Sequence, residues 1–158
     1  MNAAHLHLIF NHVPVIATLF GCGFLLVGLL ARKDTLIRSA FVVFIVAAVT
    51  TVPAFVSGDG AEDLIERLPG IDEKYIHAHE EAGEKALVVM IAVGVLAGAG
   101  LWVFRFMNRL RITAAVIILL ASIAAAGWMA YTANLGGEIR HPEIRQDFVP
   151  PPLTPDAG

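Results

Sequence analysis

Four stretches of this chain contain no Asp, Glu, Lys or Arg: Met1 to Ala31, Ser39 to Gly58, Ala86 to Phe104 and Ile112 to Gly137, each at least 19 residues long. A helix rises about 1.5 Å per residue and bilayer hydrocarbon is about 30 Å thick, so every one of them can cross a membrane. The fold class that follows is an all-α membrane protein, an antiparallel up-and-down four-helix transmembrane bundle. With 57% apolar residues, 16% charged residues and a mean hydropathy of +0.72, an ordinary water-soluble domain is excluded. The net charge of −3 gives no nucleic-acid signal.

The transmembrane domain is expected over residues 1–145, with spans at about 12–31, 38–57, 76–105 and 112–135 and a proline-rich tail over 146–158. The first apolar run lacks a basic leader and is too long for a cleaved signal core, so it reads as a retained span. Asn11 is expected to cap that span with Pro14 in its first turn, which leaves residues 3–10 as a separate short apolar piece at the interface. Ser57-Gly58-Asp59-Gly60 reads as the stop of span two, followed by a short amphipathic surface helix over 61–68. A third helix is expected from Asp72, unbroken to about Met107. From Phe148 the tail is expected to be extended or disordered. The single cysteine, Cys22, lies within span one and cannot form a disulfide in one chain.

Short connections rich in bases mark the cytoplasmic side. Arg32, Lys33 and Arg38 flank the first connection, and Arg105, Arg109 and Arg111 flank the third. Both termini are then expected to be extracytoplasmic, and so are all six histidines: His5, His7, His12, His77, His79 and His141. Imidazole is the commonest metal ligand, and ionisable groups at a membrane edge tend to be functional.

Helices one and three of an up-and-down bundle are diagonal neighbours, so His12 and His79, at similar depth, are expected to face each other across the core. That arrangement holds a b-type haem between two axial imidazoles. His7 and His141 are the expected second pair, which makes one or two haems. Gly83, four residues after His79 on the same face, would leave room for the ring, and Arg140 is one of the bases placed to pair with haem propionates. The other small residues of that helix, Ala86, Gly94 and Ala97 among them, suit ordinary helix packing. His77 points away from His79 and is expected to pair with Glu81. Zinc is the alternative cofactor, with Glu80, Glu81 and Glu84 as further donors. Trp102, Trp128 and Tyr131 read as interface anchors or packing rather than quinone contacts. No nucleophile motif, phosphate loop or dinucleotide fingerprint occurs, and no charged residues string across the spans as a transport path.

His7-Leu-Ile-Phe-Asn-His12-Val-Pro14, Ser57-Gly58 with Ala61 and Asp63, His79-Glu-Glu-Ala-Gly83 and Gly136-Gly137-Glu-Ile-Arg-His141 together resemble, in order, the motifs of a bacterial family of four-span membrane proteins catalogued as a domain of unknown function. Val13 stands where that family usually has phenylalanine, and Leu8 where proline is common. The resemblance implies a four-helix domain in the bacterial inner membrane. It also implies cytochrome c, iron-sulfur or other redox subunits as partners, since family members often occur beside or fused to them. The functional expectation is a haem-bearing membrane subunit for electron transfer, more a component of a redox complex than a stand-alone enzyme, with quinone contact and an oligomeric state both compatible. The competing expectation is a non-redox membrane scaffold or accessory subunit that binds zinc or no cofactor.

Overall fold

The structure is a computed structural model that describes residues 2–150. Five helices make up nearly all of it: α1 (Ala3–Phe10), α2 (His12–Leu30), α3 (Asp34–Ile65), α4 (Glu73–Phe106) and α5 (Arg111–Arg140). Helix α2 packs on α3 and α5, and α4 packs between α3 and α5, so the four long helices form a closed ring with α2 and α4 at opposite corners. Four apolar rods, Ala3–Leu30, Asp34–Ile65, Glu73–Phe106 and Asn108–Arg140, are each long enough to cross a bilayer. The protein is therefore an all-α, multi-pass membrane protein built as a four-helix bundle.

The core contains a few large side chains, among them Phe41, Phe44, Leu25 and Met90, set against small residues that let the rods approach. A Cβ on Gly28 would lie 2.8 Å from Ile37 Cγ1, and one on Gly94 would lie 2.5 Å from Ala48 Cβ. Such close approach is how helices associate where lipid removes the hydrophobic drive between them. The large apolar side chains Leu19, Phe20, Val49, Val88 and Leu120 point outward instead.

Local chemistry sets the ends. Asp72 caps α4, its carboxylate accepting from the Lys74 amide at 3.0 Å. Helix α2 closes with Arg32 in the left-handed region (φ 53°), its amide donating to the Leu29 carbonyl while the Lys33 amide donates to Gly28 at 2.9 Å, which is a Schellman closure.

Two local expectations are corrected. Ser57-Gly58-Asp59-Gly60 does not stop the second span, because α3 runs through it to Ile65 and no separate surface helix follows. Contact accounts for one of those glycines: a Cβ on Gly60 would meet Ala3 Cβ at 2.6 Å, whereas one on Gly58 would reach only ordinary van der Waals distance, 3.8 Å, from the His7 ring. Asn11 does not cap α2. It has helical backbone angles (φ −65°, ψ −29°), its side chain makes no capping bond, and α1 continues almost directly into α2. The cap instead belongs to Asn2, which accepts from the His5 amide at 3.0 Å at the start of α1. Just before the expected extended segment from Phe148, the chain is docked on α4. The Arg145 guanidinium lies 4.0 Å from the centre of the Tyr75 ring, and the Tyr75 hydroxyl donates to Asp147. The remainder of the expected tail, 151–158, lies outside the described residues.

Candidate functional site

With α1 laid along the end of α3, one face of the α1–α2 rod points inward. His7, Asn11, Pro14, Thr18, Gly21, Leu25 and Gly28 follow one another at spacings of three and four, and all are buried or half-buried. With 3.6 residues per turn, His12 is about 140° around the rod from His7, so it falls off this stripe. His12 is exposed, and its Nδ1 donates to the Leu8 carbonyl of its own rod at 3.0 Å.

His79 therefore meets His7 rather than the expected His12. The two imidazole centroids are 6.2 Å apart with ring planes at 89°. Each ring is fixed from behind by a backbone carbonyl on a neighbouring helix: His7 Nδ1 bonds to the Ala54 carbonyl at 2.9 Å and His79 Nδ1 to the Thr132 carbonyl at 3.0 Å. A carbonyl can only accept, so each Nδ1 carries the proton and donates it. In the neutral ring the lone pair is then at Nε2, the arrangement that second-shell carbonyls impose on metal-binding histidines. Neither Nε2 has a hydrogen-bond partner among the described residues.

The surroundings hold this geometry. Gly136 on α5 makes room for the His79 ring, since a Cβ there would lie 2.9 Å from His79 Cε1. Trp128 Nε1 donates to the Ala82 carbonyl at 3.0 Å and Thr132 Oγ1 donates to the same carbonyl at 3.4 Å, which ties α5 to α4 one turn from His79. Of the two roles expected for Trp128, this bond gives it the packing one. Gly83 has open space where its Cβ would be. Asn11, one turn beyond His7 on the same stripe, has its buried Oδ1 without any partner.

The other expected site residues lie apart from this pair. His141 is exposed and its Nδ1 is 2.9 Å from Glu143 Oε1, so the expected pairing of His7 with His141 gives way to His7 with His79. Beside it, the Glu143 carboxyl is held below its ordinary range, first by its own backbone amide and then by His141. Arg140 is the exposed last residue of α5. Lys85 pairs with Glu81 at 2.6 Å, and Arg145 donates to the Glu138 carbonyl at 2.8 Å. His77 lies 3.5 Å from Glu80, not against the expected Glu81.

Sequence reasoning missed the anchors of the pair. Ala54 and Thr132 act through their carbonyls, which side-chain identity does not announce. The inward stripe beginning at His7 was, by contrast, a visible signal, because its three-and-four spacing separates His7 from His12.

No family model matches the sequence, and neither curated proteins nor solved structures show a significant match to it.

Proposed function

We propose that the chain is a membrane b-type cytochrome, or the haem-bearing subunit of a redox complex, with a single haem held axially by His7 and His79. The observation that carries this reading is the pair itself: two buried-side imidazoles from different rods, each with Nδ1 donated to a carbonyl and Nε2 left to bind. A metal between them, about 2 Å from each nitrogen, would set the ring centroids roughly 6 Å apart, close to the observed 6.2 Å. Among the described residues, no third His, Cys, Asp or Glu converges on the two rings, since the one group of three lies elsewhere. Two axial histidines complete a haem site, whereas zinc wants four ligands. The partnerless Asn11 carbonyl, one turn beyond His7 on the inward stripe, suits a bound group.

When bound, haem supplies one-electron redox chemistry. The chain's own part is to hold the two imidazoles in one tautomer, to fix their separation through α3 and α5, and to offer an exposed base, Arg140, for a carboxylate at the same end. The density of arginines at the opposite end supports an orientation in the inner membrane with both termini and the histidines extracytoplasmic. Electrons would then pass at that face, to or from a cytochrome c or iron-sulfur partner as the family resemblance implies.

The test is a reduced-minus-oxidised visible spectrum of the purified protein with metal analysis on the same sample. A sharp α band with one iron per chain is expected. A protein purified from haem-replete cells with neither band nor iron contradicts the reading.

A further inference from the structure

A second cluster of donors lies on the other side of α4 and uses neither His7 nor His79. His77 and Glu80 are one turn apart on α4, and Glu62 reaches them from the last turn of α3. One ligand atom from each lies within 4.8 Å of the others. His77 Nδ1 and Glu80 Oε2 are already 3.5 Å apart, close to the roughly 3.3 Å between neighbouring ligand atoms around a tetrahedral zinc.

The charges favour a cation. Glu62 and Glu80 converge, yet among the described residues neither forms an ion pair with a Lys or Arg, although Glu81, next in sequence, has Lys85. Glu62 is half-buried and Glu80 is exposed, so solvent only partly screens the two carboxylates. One imidazole with two carboxylates is a donor set for zinc-type ions. Calcium and magnesium take oxygen ligands and gain nothing from the imidazole.

We infer that Glu62, His77 and Glu80 form a binding site for one zinc-type divalent ion that clasps α3 to α4 at the histidine-bearing end, with water completing the coordination. The ion would bridge the two helices across the connection that contains Pro69 and Gly70. This site is independent of the His7–His79 pair, because His77 and His79 point about 160° apart on their helix.

The experiment is calorimetric titration of Zn²⁺ into the full-length, chelator-washed protein in detergent, with helix content followed by circular dichroism. One Zn²⁺ per chain is expected, with no competition from excess Ca²⁺. His77→Ala and Glu62→Gln should each weaken binding at least about tenfold, by analogy with the loss of supporting groups at metal sites. Glu80→Gln, an exposed change that cannot disturb the core, should do the same at unchanged helix content, while Glu81→Gln should leave binding as it is. The inference is overturned if the wild type takes up no Zn²⁺, or if binding persists in the Glu62→Gln/His77→Ala double variant. It is also overturned if binding vanishes in His7→Ala/His79→Ala, because the metal would then sit between the axial pair.

Discussion

The two ends of the bundle use polar side chains in opposite ways. At the arginine-rich end they complete the fold: Arg38 donates to the Phe104 carbonyl at 3.2 Å near the C-terminus of α4, and Arg111 pairs with Asp34 at 3.0 Å. At the histidine-bearing end, His7 and His79 spend one nitrogen each on the fold and keep the other uncommitted. Among the described residues, each end also has one buried side-chain polar atom without a partner. Arg111 leaves only its Nε so, with another nitrogen of the same group engaged, while Asn11 leaves its only side-chain acceptor. The contrast teaches where to look for function in a molecule whose surface is mostly lipid-facing: not where polar groups are, but where their capacity is left unused.

That contrast can be broken from the histidine side. Gly136→Ala puts a methyl 2.9 Å from His79 Cε1, and Gly60→Leu pushes α1 away from α3 at Ala3. Each should cost about 1–3 kcal/mol of local packing and separate the two rings. The expected readout is loss of most of the bound haem with the helical circular dichroism retained. Full retention in both variants would mean that the pair's spacing is unimportant.

From the arginine side the comparison sharpens. Arg38→Met removes a charge-assisted bond to a helix-end carbonyl and should lower stability by about 1–2 kcal/mol in denaturant unfolding, with the haem content unchanged. Arg32→Gly should act in the opposite direction. It relieves a left-handed backbone at φ 53° and should raise stability by up to about 1 kcal/mol. A fall in stability would show that the Arg32 side chain has a role beyond the turn.

Much of the architecture was readable in the residues, and the reason is physical. Uncharged runs of this length have few destinations, so four crossing helices and the start of α4 at Asp72 follow from charge and hydropathy alone. The joints were harder to read. Gly58 and Gly60 look like a stop because glycine weakens an isolated helix, but α3 continues through both, and at Gly60 a second helix closes the space a side chain would fill. The histidine pairing was misjudged for a related reason: depth and diagonal position favour His12, while azimuth favours His7, and azimuth is fixed only once α1 and α2 are known to form nearly one rod. The carbonyls of Ala54 and Thr132 could not have been found from residue types at all.

The smallest effect concerns the exposed histidine. Glu143 has a lowered pKa, so its interactions stabilise the fold above the ordinary carboxylate range and are lost as pH falls through the lowered value. Its own amide is the larger cause and His141 the lesser. His141→Ala should therefore move the Glu143 titration, followed by NMR, only part of the way back toward the ordinary range. A complete return would reverse that order of causes.

The most direct test of the central claim compares haem per chain, by pyridine haemochrome, in four single variants of the purified protein. His7→Ala and His79→Ala should each abolish bound haem, while His12→Ala and His141→Ala should retain it at the wild-type level. Haem lost with His12 and kept without His7 would contradict the account, because the ligand would then come from the exposed face of the rod and not from the stripe that points inward.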